Sequence, residues 1–104
     1  QSQNQQLDWM TGALYQIRAE AGRMKIDSTA STPTQLVLSD PVRPIVYDSN
    51  DGKIRRRRGG TTMYLTPDGF PLAMRFVPRS GSSEAFVQIT SSGSEVFQTA
   101  LPQP

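Results

Sequence analysis

The first third of the chain repeats apolar residues at helical spacing. Leu7, Met10, Leu14, Ile17, Ala21 and Met24 follow one another at intervals of three and four, which places all six on one stripe of a 3.6-residue helix. Asp8, Gln16, Arg18, Glu20, Arg23 and Lys25 lie off that stripe and can stay in water. The pattern predicts an amphipathic helix over about residues 5–26. Gly12 and Gly22 each cost about 1 kcal/mol against alanine, and an isolated helix of this length is marginal in water. Such a helix needs a partner surface. A sheet is the expected one; a coiled-coil partner is the alternative, although the repeat covers fewer than three heptads.

After Asp27 the period changes. Residues 28–33 form a polar link ending in Pro33, which cannot continue a helix. Short runs suited to strands follow at 34–39, 45–48, 53–58, 61–66, 72–77, 85–90 and 95–100, separated by turn residues. Asp51-Gly52 and Pro67-Asp68-Gly69 carry the clearest turn chemistry, with glycine available for positive φ and proline pre-setting its own. Met63 and Leu65, then Leu72, Met74 and Phe76, and Val96 are placed to share one sheet face. One helix followed by six or seven strands predicts an α+β fold, with the helix laid across an antiparallel sheet. At 104 residues the chain reads as a single domain, 1–104.

Composition narrows the chemistry. Leu, Ile, Val and Phe make up just over one fifth of the residues, enough for a small core with long loops. Histidine and cysteine are both absent. Triad and thiol catalysis, thiolate zinc sites and disulfides are thereby excluded. The nine carboxylates show no spacing suggestive of an acid/base pair. An enzyme is not expected, nor is a cofactor. Asp48, Asn50 and Asp51 group oxygens in one turn, but the loop lacks an EF-hand pattern; no metal is assigned.

Two stretches resemble a known family. Residues 14–25, Leu-Tyr-Gln-Ile-Arg-Ala-Glu-Ala-Gly-Arg-Met-Lys, lead to the strand Gln35-Leu36-Val37-Leu38. Later come Met63-Tyr64-Leu65-Thr66-Pro67-Asp68-Gly69, Met74-Arg75-Phe76-Val77, Phe86-Val87-Gln88-Ile89 and Gly93-Ser94-Glu95-Val96. In order and spacing these are similar to the helix-exit segment and the Pro-Asp-Gly ending of the GspH/FimT family of pseudopilins and minor type IV pilins. Family members begin with an apolar helix carrying an N-terminal Phe and a Glu at the fifth mature position. The present sequence has neither, and Gly93-Ser94-Glu95-Val96 stands where the family usually has Gly-Arg-Val.

The resemblance implies a pilin-like fold and a structural role. Such subunits are held in the inner membrane facing the periplasm, then assembled with other pilin or pseudopilin subunits into a type IV pilus tip or a type II secretion pseudopilus. By this reading the membrane-spanning half of the helix is missing, and about twenty apolar residues are expected ahead of Gln1. The stripe would hold the sheet below and continue the shaft above, making Leu7, Met10 and the neighbouring Trp9 candidate partner contacts.

Charge adds one sharp feature. The net charge is only +2, yet Arg55, Arg56, Arg57 and Arg58 stand in a row with Lys53 just before them. On a strand, alternate arginines point to opposite faces, so a single patch would require an edge strand or a bulge. One reading is a charged edge that blocks strand pairing. The other is a phosphate-binding patch: some minor pilins of the family take up DNA during transformation, and clustered Lys and Arg give salt-dependent, sequence-independent affinity. Arg43, Arg75 and Arg79 are candidates to extend it, and Tyr15, Tyr47 and Tyr64 are candidates for base stacking. A contact with another filament or secretion component is the third possibility.

Overall fold

The computed structural model describes residues 2–92 and 95–103, with residues 2–4 as helix backbone alone. The expected stripe forms one helix, α1 (Ser2–Ala21). It buries Met10, Leu14, Ile17 and Ala21 almost completely, joined by Ala13. The helix stops well short of residue 26. Its last turn tightens, with the Arg23 and Met24 N–H groups donating to Glu20 and Ala21 O at 3.0 and 3.3 Å, the i→i+3 pattern common at helix ends. Lys25 and Ile26 instead form a short strand, β1 (Lys25–Ile26), opposite Ser39 and Leu38. Met24 therefore packs on the core from the turn rather than from the helix.

β1 opens an antiparallel sheet with β2 (Gln35–Ser39), β3 (Ile45–Asn50), β4 (Lys53–Arg58) and β5 (Thr61–Tyr64), in that spatial order. A second antiparallel sheet contains β6 (Leu72–Val77), β7 (Phe86–Ser91) and β8 (Val96–Ala100). The architecture is α+β, with one N-terminal helix packed against antiparallel sheets. The single sheet of the sequence reading becomes two because the chain between Tyr64 and Leu72 carries Pro67 and Pro71, which have no N–H for a ladder. β6 instead crosses the first sheet. Leu72 N donates to Gly52 O at 2.9 Å and Phe76 N to Pro33 O at 2.9 Å, while Met74 N reaches Ser49 Oγ at 3.3 Å.

The β3–β4 connection is tighter than the four residues expected. Asn50 pairs with Lys53, leaving Asp51 (φ 56°) and Gly52 (φ 78°) as the two-residue loop, the positive-φ pair that suits hairpin twist. A side chain on Gly52 would also meet the Pro71 Cα at 3.3 Å.

One core unites the elements: Leu36, Leu38, Ile45, Tyr47 and Ile54 from the first sheet, Leu72, Met74, Phe76, Val87 and Ile89 from the second, with the helix stripe across them. Two expected core positions are not in it. Met63 and Val96 are about half exposed, Met63 on an outer strand and Val96 at the open side of β8. Leu65 does pack on the core, from just beyond β5. The core is closed by Leu101, 1% exposed, and by Gln103, whose side chain accepts from Ile26 N at 2.8 Å and donates to Ala21 O at 3.0 Å. The expected turn residues Gly93 and Ser94, and the chain ends Gln1 and Pro104, lie outside the described residues.

Candidate interaction surface: the arginine strand and the helix face

The arginine run occupies β4, which pairs with β3 on one side and β5 on the other. It is an inner strand, not an edge, and so it cannot protect an edge. The reason lies in the sequence after it: Gly59-Gly60 turns the chain back at once, and β5 covers the side that would have been open.

Alternation divides the four guanidinium groups between the faces, and each finds a carboxylate. On the helix side, Arg56 lies opposite Tyr47 and donates from Nε and Nη2 to the two Glu20 oxygens, both at 2.9 Å. Tyr47 Oη donates to the same Glu20 at 2.5 Å. On the outer side, Arg55 lies opposite Asp48 and grips it from Nε and Nη2 at 2.9 Å, while Arg57 Nη2 adds a third bond at 2.9 Å. Arg57 Nε is buried without a hydrogen-bond partner. Arg58 pairs with Asp40 at 3.0 Å. Lys53 sits 4.4 Å above the Tyr64 ring and pairs with the exposed Asp68 at 3.2 Å, a surface contact of small energetic weight.

These partners shape the titration of the acids. Hydrogen bonding from Arg56 holds the Glu20 carboxyl below its ordinary range, against the opposing effect of burial. Burial pushes the Asp48 carboxyl up, but the hydrogen bonds and charges of Arg55 and Arg57 outweigh it and leave the group lowered. Asp40 is lowered too, first by the N–H of Val42 and then by those of Arg43 and the Arg58 charge. Burial raises the Tyr47 hydroxyl, and Glu20 raises it further. At neutral pH, four cations in the run therefore face three ionised acids.

The sequence-based candidates consequently separate. Arg55 and Arg57 share one face with Lys53; Arg56 is tied beneath α1; Arg58 leans toward the 40–44 loop. Arg43 lies against Gly59, whose φ of 61° and close neighbour both favour glycine. Among the described residues, Arg43, Arg75 and Arg79 have no carboxylate partner. Tyr47 is fully buried and unavailable for stacking, whereas Tyr15 and Tyr64 are exposed. Asp48 is held by two arginines, so the oxygen-rich turn suggested by Asp48, Asn50 and Asp51 does not assemble; no cluster of three potential metal ligands occurs among the described residues.

On the helix, Trp9 is 41% exposed and Leu7 half-buried. Met10 is fully buried. It anchors the helix to the core and offers no surface to a partner, a correction that follows from the three-residue step between Leu7 and Met10 carrying the stripe under the domain. Trp9, Gly12, Gln16 and Leu65 line an open groove between α1 and the end of β5.

Sequence reasoning missed the three acids that neutralise the run. Asp48 was legible in principle: a two-residue Asp51-Gly52 loop puts it opposite Arg55, two positions from the register that a four-residue loop gives. Glu20 has no local signal, since it is thirty-six residues from Arg56. Searches of known protein families, curated proteins and solved structures found no match for this chain.

Proposed function

We propose that this chain is the globular part of a pilin-type filament subunit, a minor pilin or pseudopilin, whose work is assembly rather than catalysis. The observation that carries the reading is the division of labour along α1. From Met10 to Ala21 its apolar side is sealed onto the sheets, while the preceding turn leaves Trp9 exposed and Leu7 only half covered. A helix anchored at one end, with Leu7 and Trp9 left partly uncovered just ahead of the anchor and the polar residues 2–6 before them, suits a shaft that meets its neighbours where it leaves the domain. No described helix is long and apolar enough to cross a membrane; inner-membrane attachment in this reading requires an apolar helix ahead of Gln1.

DNA uptake is the weaker use of the same scaffold. Binding by counterion release scales with the phosphates neutralised, and the arginine run retains about one uncompensated charge after its pairs are counted.

The test is cell fractionation with an antibody to this domain. Recovery in sheared pili, or in a pseudopilus raised by overproducing the major subunit, supports the reading. Loss of that recovery on replacing Trp9 by Ser, with the protein level unchanged, would tie it to the helix. A precursor with no apolar helix upstream, or a protein absent from every filament fraction, overturns it.

A further inference from the structure

β5 is the outer strand of the first sheet, and it carries none of the usual protections. Thr61-Thr62-Met63-Tyr64 contains no charge and no proline, and its ladder with β4 runs without a bulge. All four residues are exposed. Natural edges of this kind are normally blunted by lysine, proline, a bulge or a covering segment. The arginines that could have served lie one strand inward, tied to carboxylates.

The phase of the ladder identifies the open groups. Leu65 N donates to Ile54 O at 2.8 Å, and in antiparallel pairs the bonded positions recur at every second residue. Thr61 and Met63 therefore point their backbone groups toward β4. The N–H and C=O of Thr62 and Tyr64 point away from the sheet.

We propose that β5 is a homotypic docking edge, on which the β5 strand of a second copy pairs antiparallel about a two-fold axis through Met63. In that register Thr62 faces Tyr64 of the second copy, so the outward groups of each strand meet those of the other. Three features favour a second copy over an unrelated strand. Open groups two residues apart are self-complementary under a two-fold. A Thr–Tyr cross-strand pair is favourable, and no like charges are brought face to face. The flanking arginines are paired with carboxylates and leave about one net charge per copy, so the repulsion between two approaching copies is small and screened by salt. Met63 would meet Met63 of the second copy on the side where Leu65 and Trp9 line the open groove, which offers apolar surface to both side chains. A four-residue edge is far smaller than the ~1,000 Å² of a stable interface, so pairing is weak and concentration-dependent and becomes effective where copies are held close together. The proposal needs only the edge strand and does not depend on the pilin reading.

The chain has no cysteine, which makes single-cysteine scanning clean. Directly opposed Cα atoms at a non-hydrogen-bonded position lie about 4.5 Å apart, within disulfide range. Under mild oxidant, Met63→Cys should form a disulfide dimer at least about tenfold faster than Thr62→Cys or Tyr64→Cys alone, because only residue 63 faces itself. A mixture of Thr62→Cys with Tyr64→Cys should cross-link where neither does alone. Adding Thr62→Pro to Met63→Cys should abolish the dimer; the N–H it removes points outward, so the ladder to β4 is spared. Thr62→Lys serves the same purpose if the proline variant does not fold, as judged by circular dichroism. Equal cross-linking at all three positions, no effect of either Thr62 substitution, or a protein that sediments as a monomer up to about 1 mM would overturn the proposal.

Discussion

Replacing Glu20 by Gln tests whether the Tyr47–Glu20–Arg56 cluster clamps α1 to the first sheet. Glu20 is 9% exposed and accepts three hydrogen bonds, one from Tyr47 and two from Arg56. Glutamine keeps the shape, loses the charge and presents an NH₂ where one donor already points. Arg56 is then left without its counter-ion. Breaking a fully buried pair costs about 3–5 kcal/mol; the Arg56 side chain is 20% exposed, so water recovers part of that and about 2–3 kcal/mol is expected. In a domain of this size the midpoint of thermal unfolding should fall by about 10–20 °C. Tyr47→Phe removes one hydrogen bond while leaving the ion pair, and should cost about 1 kcal/mol. Replacing Glu20, Arg56 and Tyr47 together by Leu, Met and Phe should recover most of the loss, because neither a charge nor the Tyr47 hydroxyl, which bonds Glu20, is then stranded. The assay is chemical and thermal unfolding followed by circular dichroism, with the Glu20→Gln/Arg56→Gln double variant closing a mutant cycle. A Glu20→Gln protein within about 0.5 kcal/mol of the parent would refute the clamp.

The acids define a pH response with a fixed sign. Glu20, Asp48 and Asp40 all have lowered folded-state pKa values, so their stabilisation is complete above the unfolded values of 4.5 and 3.8 and is lost as pH falls through the folded ones; an unchanged urea midpoint between pH 7 and pH 3 would contradict this. Changing Arg55 and Arg57 together to Gln strands the buried Asp48, so this pair should cost about 1–3 kcal/mol at pH 7, and adding Asp48→Asn should return part of it. In a salt titration of duplex and single-stranded DNA, the parent domain should bind weakly and show a shallow dependence on salt; tight binding that collapses in the triple variant, with the fold retained, would restore the arginine run as a DNA site. Gly52→Ala should destabilise by about 1–2 kcal/mol, measured by urea unfolding, since φ is positive and Pro71 lies close.

The helix stripe, the strand periodicity and the Leu72/Met74/Phe76 face were legible because burial on one side of a regular element leaves a period in the sequence. The end of the helix was not. Met24 continues the stripe by spacing, yet the tightened turn at Gly22 and the pairing offered by Ser39 and Leu38 draw Lys25 and Ile26 into a sheet. The split into two sheets was hidden for a related reason: alternation reports which face is buried, not which neighbour lies alongside. The arginine run shows the limit for the site. Four like charges in a row read as a surface patch, but strand alternation and three acids from α1, β3 and the 39–41 region turn them into separate pairs. Only one of those acids was within reach of a local register argument.

Gln103 joins Ala21 and Ile26 across separations of 82 and 77 residues, and Leu101 fills the core beside it. The order of synthesis is thereby opposed to the order of folding. α1 leaves the ribosome before every strand of the domain, yet its stripe has no complete cover until β7, β8 and Leu101 have followed. Until then it is a marginal helix with an apolar side open to water. Contacts this distant close slowly, because the loop entropy is lost before the contacts are gained. The domain must therefore fold as one late event rather than segment by segment, and the interval before that event is when the bare stripe and the unprotected β5 strand are together exposed to other chains.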